Sequence, residues 1–441
     1  MRHRSVVLSS ALLALVPAAS AHGAAPWSAP QTLTDAATRV AGAPAVLWSP
    51  GAGTIVPFGI QAAAPPSPSN LALARRPVAA PVFGAPSVTT TRSDATRVMT
   101  YGTSRVVVVS QGATQLRARF GSAFGRLGPS RVVSGSSDVL RYSAAANDRG
   151  DVVIAFIAQH RSLLQDVVVV RRRAGHGFGA PEAIVGHGRV HQLATAINAA
   201  GDIVVAYDRQ GRVLARGRPA RGSWQPADDV AATAASNPHL RVALGSGGRA
   251  VIGIFEQALS EGGDNGPANV IAAVRRPGHR FGAPQLLESF AERFPDFFGT
   301  PGSAEVAVDG DGALVAWTGR VGGSFGVRVA ALTGSRFGAP LSASPAGQQL
   351  DALAVGDGGR ATVVWSQVAT DPAPPTATIG AAVRASRSTA FGPPELVSGV
   401  EAGARQAAVG YAPHSGPATV AWLASTGPSS TGVRVATRAT P

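Results

Sequence analysis

Short, unbroken apolar runs recur along the chain, each ending in an aromatic side chain and each preceded by a turn that carries glycine. The runs end at Phe58, Phe156, Tyr207, Phe255, Trp317, Trp365 and Trp422, with Val108 or Val109 in that place in one further unit. A run without polar alternation reads as a strand buried on both faces, unlike the alternating strands of a half-exposed sheet. The preceding turns hold Gly53, Gly102, Gly150, Gly201, Gly248, Gly312, Gly359 and Gly416. A tight hairpin needs a positive φ that glycine adopts at little cost.

A second pattern runs in step with the first. Trp27, Phe83, Phe124, Phe178, Trp224, Phe281, Phe337 and Phe391, most often in Phe-Gly-Ala-Pro, are spaced 41 to 57 residues apart, the range of repeat architectures. Aligning the units on these markers gives four strands per unit. In the sixth they are 304–308, 313–317, 326–332 and 339–344, with a loop between the second and third. The last unit, from about Gly403, has only three strands before Pro441, and residues 27–33 match the missing fourth. Pairing the two ends removes an open sheet edge. The expected fold is all-β: an eight-bladed β-propeller of four-stranded antiparallel blades, closed by the N-terminal strand. Seven blades is the alternative, if unit one with its proline-rich stretch 62–69 is an embellishment.

Residues 1–21 read as a secretory signal peptide, with Arg2 and Arg4 at its start, an apolar stretch over 6–16 and Ala19-Ser20-Ala21 at the cleavage site. A single propeller domain then occupies 22–441. No later apolar run is long enough to cross a membrane as a helix. The chain has no cysteine, which excludes disulfides, thiol nucleophiles and the usual structural zinc. Its 39 basic residues are all arginine and its net charge is +14. This favours anionic neighbours such as cell-wall polymers or acidic glycans. No nucleic-acid module is recognisable, and no motif calls for a cofactor or a metal.

In a four-stranded blade, the loops between second and third strands and the connectors between blades share one face of the disc. The glycine turns and the arginine-rich ends of the third strands (Arg75, Arg119, Arg171, Arg216, Arg275, Arg384, Arg438) share the other. Function is expected on the connector face. Its densest cluster is Phe290, Phe294, Phe297 and Phe298, with Glu292 and Asp296 among them. These rings read either as an aromatic platform for a sugar or partner or as a cap on an inter-blade core. Glu288, Glu292 and Asp296 resemble a glycosidase acid/base set and equally a solvated face. Glu256, Glu261 and Asp264 match no compact calcium loop. His187 and His191 stand four apart in a connector, where exposure is expected. Solvated charge is likewise the expectation for the strand-ending arginines, with a polyanion-holding ring as the alternative.

The turns Asp309-Gly310-Asp311-Gly312 and Asn147-Asp148-Arg149-Gly150-Asp151 resemble a loosened Asp-box, the hairpin signature of sialidase-like propellers. The chain as a whole resembles exported bacterial propeller-repeat proteins. Two functions follow as expectations. The first is a secreted, non-enzymatic propeller that binds or scaffolds at the cell envelope or outside the cell, taking an anionic wall polymer, a glycan or an envelope protein as partner. The alternative is a propeller-type carbohydrate-active hydrolase or lyase.

Overall fold

The computed structural model describes residues 27–35, 38–61, 70–78, 80–90, 95–123, 127–160, 164–233, 238–259, 265–290, 304–367, 376–412, 416–427 and 430–438. The leader expected over 1–21 lies outside them, as do Phe124, Glu261, Asp264, Glu292, Phe294, Asp296, Phe297 and Phe298. No helix among the described residues is long and apolar enough to cross a membrane.

Eight antiparallel sheets follow one another along the chain. Consecutive inner strands touch in turn, and the inner strand of blade 8, Arg405–Tyr411, touches that of blade 1, Leu47–Ser49. The ring is therefore an eight-bladed β-propeller. Eight hydrophobic cores fill the eight gaps between neighbouring blades. Each core is built from the apolar runs read in the sequence. All seven of their terminal aromatics are buried, with Phe156, Trp317 and Trp422 at 0% exposure.

The ends meet as the repeat predicts. Gln31 and Thr32 pair antiparallel with Val435 and Arg434, and the Leu33 amide donates to the Val433 carbonyl at 2.8 Å. Unit one is a full blade whose inner strand is interrupted: Arg39–Val40 and Leu47–Ser49 both pair with Gly53–Gln61. Six of the eight turn glycines have positive φ, and in blade 6 the left-handed residue is Gly310 rather than Gly312. That blade departs from expectation in one further respect. Its second and third strands, Gly312–Val321 and Ser324–Thr333, run to a two-residue turn at Gly322-Gly323, so no long loop separates them.

One bond explains the aromatic marker. The residue after it donates its amide to a third-strand carbonyl in every blade: Ser28 to Thr437, Gly84 to Arg75, Gly128 to Phe120, Gly179 to Arg171, Gln225 to Gly217, Gly282 to Val274, Gly338 to Ala331 and Gly392 to Val383. In blade 2 the marker is thus Leu127, whose side chain is buried, and not Phe124. A proline follows in each unit, at the start of the outer strand. There its missing N–H blunts an exposed sheet edge.

Candidate functional site

The third-strand arginines that were expected to face solvent are corrected by the fold. Arg275, Arg384 and Arg438 are buried, and Arg75, Arg119, Arg171 and Arg216 are half-buried. Arg275 stacks over Phe281 at 5.5 Å and Arg384 over Phe391 at 5.9 Å. Arg438 forms a bidentate pair with Glu395, both contacts at 2.9 Å. Guanidinium stacked on an aromatic face is a packing element, so these buried arginines serve the blades and are not free charge for a polyanion.

The connector-face candidates divide. Phe290 ends the outer strand of blade 5, is 4% exposed, and packs with Phe255 and Trp317 in the core between blades 5 and 6. Glu288 accepts hydrogen bonds from the Trp317 indole N–H, the Arg320 amide and Arg328. Glu256 is buried and accepts from Asn269 at 2.8 Å. Both carboxylates are engaged by their own surroundings. His191 pairs with Asp208 at 2.9 Å, and His187 faces Asp166 rather than His191. Asp309 pairs with Arg387. Asp151 accepts from the Ala174 amide and from Asn147, whose Nδ2 also reaches the Asn198 carbonyl of the next blade. The turn 147–151 of blade 3 therefore joins blades.

The residues that converge are ones the sequence did not single out. Inner strands line the axis of a propeller, and polar side chains near their first residues gather in the connector-face half of the channel. Arg97 lies in Ala95–Tyr101 of blade 2 and Arg141 with Tyr142 in Asp138–Ala146 of blade 3. His239 and Arg241 lie in His239–Leu244 of blade 5, and Glu305 in Ala304–Asp309 of blade 6. Arg97 is exposed to the channel's solvent yet ringed by protein. Its guanidinium is held below the usual arginine range by that desolvation, and the charges of Arg241 and Glu305 act on it from across the ring. Blades 2 and 6 stand opposite one another in a ring of eight, so only the axis brings these groups within reach.

The electrostatics of the cluster are set by few groups. Arg241 Nε contacts Glu305 Oε1 at 2.9 Å. Glu305 thus acts on both Arg97 and Arg241 and is already paired with the second, while Arg141 joins the group through His239. Desolvation pushes the His239 imidazole down to about 4, helped by Arg241 and then Arg141, so His239 is neutral at pH 7. Desolvation also pushes the Tyr142 phenol up to about 12, against the opposing pull of Arg97, and its hydroxyl donates to the Val109 carbonyl at 3.1 Å. The arrangement can receive an anion with bidentate arginine bonds and a neutral imidazole beside them. Apart from His239 and Arg241, which share a strand, residues 97, 141, 239, 241 and 305 are far apart in sequence. The signal available was an arginine at the third or fourth residue of the first strand in three units.

Compared by sequence, the chain matches no protein-family model and no curated protein. Among solved structures it is similar to an ulvan lyase, a polysaccharide lyase bound to -[GlcA(1-4)Rha3S]-. That match has a TM-score of 0.51 at 12% identity, over 84% of this chain and 97% of that one. Phage phi92 endosialidase matches with a TM-score of 0.41 at 8% identity, over 95% of this chain and 70% of that one. The fungal lectin of Aleuria aurantia, a six-bladed β-propeller that recognises fucose, matches with a TM-score of 0.40 at 12% identity, over 71% and 98%. At 12% identity the likeness to the ulvan lyase is one of fold alone.

Proposed function

We propose that this chain is an exported, non-enzymatic β-propeller that binds an acidic glycan or wall polymer outside the cell, or at its envelope, through the axial cluster. One observation carries the reading: among the described residues Arg97 and Arg241 act on one another across the channel, Arg241 and Arg141 act on His239, and the carboxylate within this group, Glu305, is already paired with Arg241. An unbalanced, partly desolvated set of guanidiniums favours a carboxylate or sulfate ligand, and the low-dielectric wall strengthens each bond. Export is supported by the leader-like residues 1–21, and a non-catalytic role by the state of the channel's acid–base groups. Glu305 is ion-paired, and Tyr142 is bonded and hard to ionise.

The alternative, a lyase or hydrolase, is favoured by one observation, the neutral His239 beside arginines that could neutralise a substrate's acid group. A group titrating at about 4 is nevertheless a weak base at neutral pH.

A glycan array probed with the mature protein at low and high salt tests the reading. Uronate-bearing or sulfated glycans should be retained at low salt and released at high salt, while neutral glycans are ignored. Arg97→Ala and Arg241→Ala should each weaken retention roughly tenfold or more. Retention of neutral glycans, or no effect of either substitution, counts against the proposal. Shortening of a retained polysaccharide, followed by size-exclusion chromatography, would select the enzymatic alternative.

A further inference from the structure

Blade 3 gathers a second group of side chains on the connector face, built from its second, third and outer strands and so lying toward the rim. His160 follows the second strand, Val152–Gln159; Asp166 is in the third, Gln165–Arg172; and His187 is in the outer one, Glu182–Gly188. His160 Nε2 lies 2.7 Å from Asp166 Oδ2, and His187 Nδ1 lies 3.6 Å from Asp166 Oδ1. The three ligand-type atoms fall within 4.8 Å of one another. The two imidazole rings meet edge to face at 5.9 Å.

The group is held in place from behind. Asp166 is 8% exposed, and the His187 amide donates to its Oδ1 at 2.8 Å, leaving Oδ2 facing His160. His187 itself sits at φ 51, a left-handed conformation that a non-glycine residue keeps only where its surroundings enforce it. The Val190 amide donates to Gln165 Oε1 at 2.6 Å, tying the following connector to the same strand. The imidazole side chains remain open, at 45% exposure for His160 and 75% for His187. Beside them is a cavity of about 340 Å³ lined by His187, Arg189, His191 and Asp208.

We propose that His160, Asp166 and His187 form a binding site for a divalent transition metal of the zinc class, with coordination left open toward that cavity. Two imidazole nitrogens and one carboxylate oxygen suit zinc, nickel or copper rather than calcium or magnesium, which take oxygen ligands. Around tetrahedral zinc, ligand atoms at about 2.0–2.1 Å from the metal stand about 3.3 Å apart. The two imidazoles contact different oxygens of Asp166, at 2.7 and 3.6 Å, and the three ligand atoms lie within 4.8 Å of one another, so the exposed imidazoles have to close in by about an ångström to take an ion. The amide bond to Asp166 Oδ1 is the outer support that orients a ligating carboxylate.

The test is a titration of the mature protein with Co²⁺, read by visible absorption, and with Zn²⁺, read by calorimetry. One equivalent should bind, and Co²⁺ should develop the visible bands of a four- or five-coordinate ion. His160→Ala and His187→Asn should each weaken binding tenfold or more; asparagine is chosen because it tolerates the left-handed backbone. His279→Ala, an exposed histidine elsewhere, should leave binding unchanged. Melting curves recorded without metal check that the variants fold. No uptake of either ion, or uptake that His187→Asn does not weaken, overturns the proposal.

Discussion

Arginine plays two opposed parts in this chain, and the difference lies in what each guanidinium faces. At the rim, Arg275 and Arg384 cover Phe281 and Phe391 and are lost to solvent; on the axis, Arg97 and Arg241 remain reachable. The residue type was legible in the sequence, but its role was not, because the deciding partner sits on another strand or another blade. Asp351 is a comparable case, on the inner strand of blade 7 at a bulge between Leu350 and Ala352. Burial pushes its carboxyl up to about 7, against bonds from the Ala407 amide and the Ser366 side chain, and its Oδ2 is buried without a partner among the described residues. The folded protein therefore holds this proton more tightly than the unfolded chain does. The resulting stability is complete below the ordinary carboxylate range and is lost as the pH rises through 7. At about 1.36 kcal/mol per pKa unit, the rise from 3.8 to about 7 bounds the effect at about 4 kcal/mol. Asp351→Asn should accordingly raise the urea midpoint at pH 8 and leave it nearly unchanged at pH 4. Equal effects at the two pH values would show that the carboxyl is not perturbed.

At the scale of the element, the outer strand both ends one blade and fastens it to the next. Gln31 of blade 8 makes two hydrogen bonds to the backbone of Phe83 in blade 1, at 2.7 and 2.8 Å. Gln285 of blade 5 does the same to Phe337 in blade 6, at 2.8 and 2.9 Å. Where the residue is acidic, it reaches the same turn or its arginine: Asp228 accepts from the Phe281 amide, and Glu182 from Arg218. Gln285→Ala removes both bonds and leaves the Phe337 amide and carbonyl unpaired. It should cost about 1–2 kcal/mol, measured as a shift in the denaturant midpoint at constant slope. A loss within error would show that water replaces the carboxamide. The strands themselves were legible because their apolar runs and terminal aromatics are set by burial between blades, a local consequence of the fold. The latch was present in the sequence as a polar residue after the proline in most units, such as Gln31, Glu182 and Gln285, yet nothing local shows that it crosses to a neighbour. The shifted marker in blade 2 has a similar origin. Phe-Gly at 124–125 imitates the motif, whereas the amide bond to Phe120 comes from Gly128, three residues beyond Gly125.

For the whole molecule, closure depends on the short N-terminal strand Gln31–Thr32 and its flanks. Beyond the ladder with Val435 and Arg434, Ser28 and Leu33 donate to the carbonyls of Thr437 and Val433. The Thr437 amide donates to Ser28 Oγ at 3.0 Å and the Val433 amide to Thr34 Oγ1 at 3.2 Å. Leu33 is 6% exposed in the core shared by blades 8 and 1, against Phe58, Phe83, Leu423 and Val433. The ring and its closure were readable because a three-stranded last unit leaves an edge that needs a partner. The axial cluster was not, since it exists only once eight blades are set around one axis. Deleting residues 27–34 removes the outer strand of blade 8, uncovers the Ser430–Arg438 strand along its hydrogen-bonding edge and opens the core around Leu33. The loss of a buried leucine alone costs about 2–5 kcal/mol, and a bare edge invites pairing with another chain. The truncated protein should melt at a markedly lower temperature and form dimers or larger species in sedimentation. Adding a synthetic peptide of residues 27–34 should restore the monomer and part of the melting temperature by strand addition. A truncated chain that stays monomeric with an unchanged melting curve would mean that the blades hold the ring without this strand.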